Sequence, residues 1–183
     1  MAIARPLRRL EPDQDTEITV RVPGERDIGA LVQLINRLAV EAPLLFVTPI
    51  DPAHGQAEMR AYLAGVASSD NQMVLVAERL GRLVGLATAA GGDHPAKRGV
   101  AEIGIGVLSS DRGHGIGRAL MEAVESWARS AGIHRLQRSV AAGNEAAISL
   151  YRKSGFEIEG VLRRSVMVRG IPADQYMMAK LLG

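Results

Sequence analysis

Apolar positions along the chain recur in two rhythms, every second residue in some stretches and every third or fourth in others. The changes of rhythm set out the elements. Residues 16–22 alternate as a short strand, and residues 26–40 carry Ile28, Leu31, Leu34, Ile35 and Leu38 at helical spacing. Residues 41–52, rich in proline and apolar side chains, read as an irregular loop. A second helix is expected over 53–67, with Met59, Tyr62, Leu63 and Val66 on one side. Strands over 73–78 and 83–90 are joined in hairpin fashion at 79–82, and a polar turn fills 91–99. Residues 100–108 read as a further strand. The helix that starts at about Gly115 is expected to bury Ile116, Leu120, Val124, Trp127 and Ala131, and to turn Arg118, Glu122, Glu125 and Arg129 to water. A strand over 135–140, a short helix over 144–154, and strands over 156–168 and 173–182 that turn at Arg169-Gly170 complete the series. Asn144 suits the N-cap of that short helix and Gly155 its stop. The expectation is one mixed α/β domain over 16–183, a sheet backed by helices, after a loosely ordered extension over 1–15.

Composition narrows the classes of function. With 183 residues, 47% apolar and 23% charged, the chain has the make-up of a soluble globular domain with a sizeable core. The net charge of +2 is slight; the pI of 9.3 suits an anionic ligand without giving the concentrated basic field of a nucleic-acid binder. With no cysteine, disulfides, zinc thiolates and a cysteinyl acyl intermediate are all excluded, and a reducing cytoplasm fits. No apolar run approaches the roughly 18 residues of a membrane span, and the first residues have no apolar h-region of a secretion signal. His54, His94 and His134 lie at no metal-ligand spacing, so no metal is expected. HExxH and G-x-S-x-G are missing, which removes zincin and serine-hydrolase chemistry.

The chemistry concentrates between the strand over 100–108 and the helix after it, at Arg112-Gly113-His114-Gly115-Ile116-Gly117. A glycine loop running into a helix N-terminus aims unpaired backbone N–H groups and the positive end of the helix dipole at one point. That is an anion site, and diphosphate is its natural guest. A P-loop would need Gly-Lys-Ser/Thr, which is absent; a dinucleotide loop would need a glycine where Arg118 stands. Arg-x-x-Gly-x-Gly remains. Further on, Asn144, Ile148 and Tyr151 fall at i, i+4 and i+7, on one helix face. A core tyrosine packed on Ile148 is the structural alternative for Tyr151, as an N-cap is for Asn144. In the strand, Glu102 shares a face with Gly104 and Gly106, while Ala101, Ile103, Ile105 and Val107 face the other way; a bulge at the glycines would shift that alternation.

Arg112, Gly115 and Gly117, followed by Asn144-Glu145-Ala146-Ala147-Ile148-Ser149-Leu150-Tyr151-Arg152-Lys153-Ser154-Gly155-Phe156, resemble the acyl-CoA loop and the N-x-x-A-x-x-L-Y-x-K-x-G-F segment of the GNAT superfamily of N-acetyltransferases. Ala-Glu-Ile-Gly-Ile-Gly-Val before the loop and Phe-Glu-Ile-Glu-Gly after the segment further resemble its amino-acid and phosphinothricin-type members. The resemblance implies a mostly antiparallel twisted sheet with splayed central strands that hold acetyl-CoA as co-substrate. It implies direct acetyl transfer to a primary amine in a ternary complex. The donor would be held by Arg112, Gly113, His114 (through its backbone), Gly115, Ile116, Gly117, Arg118, Asn144 and Ala147. Backbone groups of Val107 and Leu108 would meet the pantetheine and the acyl carbonyl. Tyr151 becomes the general acid for the departing thiolate, and Glu102 the base, unless water carries the proton or Glu102 is simply a solvated strand-end residue.

For the acceptor, the resemblance points to the first two helices, their loop and the last hairpin, which contain Phe46, Thr48, Met59, Tyr62, Arg163, Arg164, Met167 and Arg169. The absence of acidic residues over 44–50 and 161–171 disfavours a polycationic acceptor. Arg163 or Arg164 would hold a substrate carboxylate, unless the pair is a plain surface feature. Acetylation of a protein N-terminus or of aminoacyl-tRNA, and a non-catalytic acyl-CoA module, are the alternatives. Edge strands in the last hairpin allow a homodimer.

Overall fold

The two rhythms resolve into a seven-stranded sheet with helices on both faces, in a computed structural model that describes residues 18–45, 48–51 and 54–183. The strands are β1 (Ile18–Arg21), β2 (Gln72–Arg79), β3 (Arg82–Gly91), β4 (Val100–Val107), β5 (Arg135–Ala141), β6 (Glu157–Val168) and β7 (Ile171–Leu181). Their order in the sheet is β1-β2-β3-β4-β5-β7-β6. All neighbours are antiparallel except β4 and β5. The expected extension over 1–15, and positions 16 and 17 of the first strand, lie outside the described residues. The β2–β3 turn places Leu80 and Gly81 at φ 52° and 71°, and the β6–β7 turn places Arg169 and Gly170 at 51° and 79°. Paired left-handed residues of this kind match the twist of a tight hairpin.

Helices α1 (Ile28–Glu41) and α2 (Gly55–Ala67) cover one face; α3 (Ile116–Ser130) and α4 (Glu145–Lys153) cover the other. Strand alternation supplies both cores: Val76 of β2 packs with α1, whereas Met73, Leu75 and Ala77 pack with α3. Helix α1 sinks Ile28, Leu31, Leu34, Ile35 and Leu38, as its spacing predicts, while α2 buries only Gly55 and Met59 and leaves Tyr62 half exposed. On α3 the buried stripe is Ile116, Leu120, Met121, Val124 and Ala128, with Trp127 and Ala131 only partly covered. The indole is too large to be enclosed at that edge, and the small Ala128 lets the helix lie close to the sheet. Glu125 departs from its expected exposure: it is half-buried and accepts from Lys180 Nζ of β7 at 2.6 Å.

One charged cluster fastens the first strand. Arg21 donates to both carboxylate oxygens of Asp27, at 2.6 and 2.8 Å, and to Glu78 of β2. Asp27 is almost wholly buried and also accepts from the Gly24 N–H at 2.7 Å. The Arg21 guanidinium holds the Asp27 carboxyl down at about 2. A carboxyl lowered by folding contributes stability above its ordinary pKa and loses it as pH falls through the folded value. Asp27→Asn is therefore expected to cost about 1–3 kcal/mol at pH 7. The difference from wild type should shrink between about pH 4 and pH 2, as read by urea denaturation across that range.

Candidate active site

Strands β4 and β5 run parallel but are paired only at Val100–Glu102 with Arg135–Gln137. Beyond that point β5 stays with β7 through Ala141, and β4 stays with β3 through Val107. The two strands part like the arms of a V. The Leu108 N–H donates to the Val84 carbonyl at 3.0 Å, which makes that pair a hydrogen-bonded one. Alternation along an antiparallel ladder then turns the backbone groups of Ile103, Ile105 and Val107 toward the parting. Leu108 offers less than expected: its N–H is committed to Val84, and its carbonyl accepts from the Asp111 N–H. The β3–β4 register is continuous, so no bulge disturbs the predicted alternation. Gly106 serves helix packing, because a Cβ there would stand 2.6 Å from Leu45 Cδ2; Gly104 borders Thr88 and Arg138.

At the open end of the V, Gly113 and Gly115 adopt φ of 83° and 81°, and α3 begins at Ile116. The N–H groups of Gly113, His114, Gly115, Ile116, Gly117 and Arg118 have no acceptor among the described residues; the next, Ala119, bonds to the Gly115 carbonyl. Six successive free amides at a helix N-terminus form an anion cradle. A Cβ added at Gly113 or Gly115 would meet nothing, so the space in front of the cradle is open. Side chains contribute little to it. Arg112 Nε donates to the Val107 carbonyl at 3.1 Å, Arg118 pairs with Glu122 on the surface, and His114 Nδ1 lies 3.3 Å from the Asp111 carbonyl.

Two ion-paired carboxylates, neither predicted from sequence, hold the loop in place. Buried Asp111 accepts from Arg79 Nη1 at 3.1 Å and from the Ser110 hydroxyl at 2.6 Å, and these bonds keep its pKa low. Glu41, at the last turn of α1, accepts from the Ser109 N–H at 3.0 Å and its hydroxyl at 2.8 Å, and its carboxyl is lowered to about 2. A carboxylate opposes the helix dipole at a C-terminus; the Ser109 donors and Arg37 offset that. The partners lie far apart in the chain, so no local pattern marks them.

Helix α4 stands beside the cradle. A Cβ on Gly117 would come within 3.2 Å of Leu150. Asn144 is the N-cap of α4, its Oδ1 accepting from the Ala147 N–H at 3.2 Å. Tyr151 is 3% exposed, and its ring meets Phe156 edge-on with centroids 5.2 Å apart. Burial pushes the phenol up to about 12, with Arg138 opposing the rise and Glu102 adding to it. The phenol thus lies within electrostatic reach of Glu102, which is exposed on β4 and accepts from Gln137 Nε2 at 3.4 Å.

On the α1 side of the V lies a cavity of about 250 Å³, walled by Leu31, Ile35, Leu45, Met59 and Tyr62 and entered by Arg138. Thr48 is exposed, and Phe46 lies outside the described residues. Arg163, Arg164, Met167 and Arg169 lie exposed on edge strand β6 and its turn, apart from this cavity. Arg138 was missed, although Leu136, Arg138 and Val140 share one parity and a charge in an apolar series is a signal. Among the described residues no three His, Asp or Glu side chains gather as a metal site, and no helix is long and apolar enough to cross a membrane.

Comparison with known proteins gives this geometry a context. The model of the acetyltransferase (GNAT) family matches residues 35–156. The L-amino acid N-acetyltransferase AaaT of Escherichia coli strain K12 is 32% identical over 170 residues, 91% of this chain and 99% of that protein. A GNAT-family acetyltransferase from Streptococcus pneumoniae superposes with a TM-score of 0.85 at 32% identity, over 91% of this chain and all of its own. A phosphinothricin acetyltransferase from Sinorhizobium meliloti, solved with acetyl-CoA, is alike in fold, with a TM-score of 0.79 at 22% identity over 91% of this chain and 89% of its own.

The cradle makes a direct prediction. Gly115→Ala meets no steric obstacle, but its left-handed φ costs about 1–2 kcal/mol in an L-residue. The substitution is expected to raise the Kd for coenzyme A about tenfold in calorimetry, while Gly143→Ala, at an open position with ordinary φ, leaves it unchanged.

Proposed function

The chain belongs to the GNAT family of acetyltransferases, and from that premise we propose how its residues share the transfer of an acetyl group from acetyl-CoA to the primary amine of a small molecule such as an amino acid. The observation that carries the proposal is the row of six free amides at the mouth of the β4–β5 parting, with a buried phenol beside it. Gly113 to Arg118 hold the diphosphate through their backbone, which fits the open space before the glycines. Val107 and Ile105 present backbone groups to the pantetheine and the acetyl carbonyl, where an N–H stabilises the oxyanion. Asn144 and Ala147 shape the wall by capping α4.

In the transfer, the amine nitrogen bonds to the acetyl carbon and the carbon–sulfur bond breaks. Glu102 takes the proton leaving the nitrogen, directly or through water, and Tyr151 gives its own proton to the departing sulfur. A phenol held near 12 keeps that proton at any ordinary pH. Glu102 is close enough in charge to feel the phenol and exposed enough to reach solvent, which suits a proton outlet. The cavity beside Gly104 is of a size for a small apolar acceptor rather than a folded polypeptide. The cysteine-free composition supports a cytoplasmic setting. The apolar Val161 and Leu162, exposed on edge strand β6, support pairing with a second copy.

Thiol release from acetyl-CoA, measured against apolar amino acids, phosphinothricin, polyamines and short peptides, tests the reading. Turnover is expected on the amino acids, and silence across the panel would overturn it. Tyr151→Phe keeps the packing on Phe156 and should lower kcat about 100-fold with little change in KM for acetyl-CoA. Wild-type kcat should show no alkaline fall belonging to this phenol below about pH 10. Glu102→Gln is expected to lower kcat about tenfold; an unchanged rate would assign the amine proton to water alone.

A further inference from the structure

We infer that Arg138 selects the acceptor by its carboxylate: the guanidinium binds the α-carboxylate of an apolar amino acid whose side chain fills the cavity between α1, α2 and β4. The inference rests on the acetyltransfer reading above and names the substrate class that it serves.

The argument starts from an inventory of guanidinium groups. Among the described residues, four arginines are not exposed: Arg21, Arg79, Arg135 and Arg138. Arg21 pairs with Asp27 and Glu78, Arg79 with Asp111, and Arg135 with Glu159. Among the described residues Arg138 has no carboxylate partner, and its one hydrogen bond runs from Nη2 to the Leu45 carbonyl at 3.3 Å. A guanidinium carries five N–H donors in a planar fork suited to a carboxylate. Arg138 is only partly buried and lines the cavity beside leucine, isoleucine and methionine side chains, so with one long bond made to protein most of that fork is left to meet an anion entering the cavity.

The position of Arg138 follows from the fold. Strict alternation puts it on the face of Leu136 and Val140, which pack with α3. It lies one residue past Gln137, the last β5 residue paired with β4. β7 neighbours it on one side, through Met178, but no strand does on the β4 side, so the side chain extends through the parting: Nη1 is 3.9 Å from where a Cβ of Gly104 would stand. It therefore joins the phenol side of the V to the apolar cavity on the α1 side. The diphosphate cradle is too far away to be its partner. Gly104 and Val107 are three residues apart on an extended strand, about 10 Å, and the cradle begins only at Gly113. The walls contain no acidic side chain, so an acceptor's second cation would find no partner. One cation, apolar walls and a volume of about 250 Å³ describe a receptor for a compact, apolar α-amino acid.

The test compares two acceptors that differ only in the carboxylate, L-leucine and 3-methylbutylamine, in wild type, Arg138→Gln and Arg138→Lys. The Kd for acetyl-CoA and the melting temperature of each variant report whether it is folded. Wild type is expected to prefer L-leucine in kcat/KM. Arg138→Gln should lower the ratio of the two kcat/KM values about 10- to 100-fold, mainly through the KM for L-leucine, with Arg138→Lys between. An unchanged ratio overturns the inference, and so does an equal loss on both acceptors, which would make Arg138 part of the transfer step. If wild type acetylates neither compound, the acetyltransfer reading falls by itself. Calorimetric binding of L-leucine against 3-methylbutylamine to the coenzyme A complex then decides Arg138: carboxylate-dependent binding lost in Arg138→Gln upholds it, and equal binding overturns it.

Discussion

The parting of two parallel strands governs the rest of this structure. Over three residue pairs β4 and β5 are ordinary neighbours, and beyond them each is held only by its outer partner. Backbone groups that a sheet would normally consume are left facing a gap. Such an arrangement persists because both arms are fully occupied elsewhere: β4 by a continuous ladder to β3, β5 by seven pairs to β7, and both faces by packed helices. The gap is thus preformed, and a ligand with its own amide donors and acceptors can complete the ladder without displacing protein structure. Pantetheine is a ligand of that chemistry.

Charge around the V is divided by function. The cradle at the open end is positive by virtue of backbone geometry alone, and its neighbouring arginines are spent on Val107 and Glu122. The centre holds a proton on a phenol that burial keeps un-ionised. The cavity side has a single cation, Arg138, and the solvent side has Glu102. In the proposed transfer a developing thiolate would meet the phenol O–H, a departing amine proton the Glu102 carboxylate and a substrate carboxylate the Arg138 guanidinium, and none would share its group with another. Asp111 and Glu41 act at one remove. Buried or tied to Ser109, they fix the loop between β4 and α3, so the amides point one way before any ligand arrives.

Most of the scaffold was legible because the signals were local. The glycine loop, the apolar stripe of α1, the alternation of β4 and the Asn144 cap are each written within a dozen residues, and each is found where the pattern puts it. What escaped was long-range. Glu125 reads as a solvent-facing helix residue until β7 brings Lys180 beside it. The Arg79–Asp111 and Glu41–Ser109 contacts join positions 32 and 68 residues apart. Leu108 follows the glycine strand and invites a ligand role, yet its N–H closes the ladder with Val84. Arg138 lies between these cases: its parity with Leu136 and Val140 is visible in the sequence, but only the missing strand neighbour on the β4 side explains how a charge is housed there.

The attachment of α2 has a consequence of its own. Two residues, Gly55 and Met59, are all that this helix buries, although it forms one wall of the cavity proposed for the acceptor. Among the described residues, the cluster that holds Tyr151 and Ile116 includes no side chain of α2. Substitutions at the exposed positions of α2 would therefore alter this wall with little penalty in folding, so the shape of the cavity is separable from the supports of the cradle.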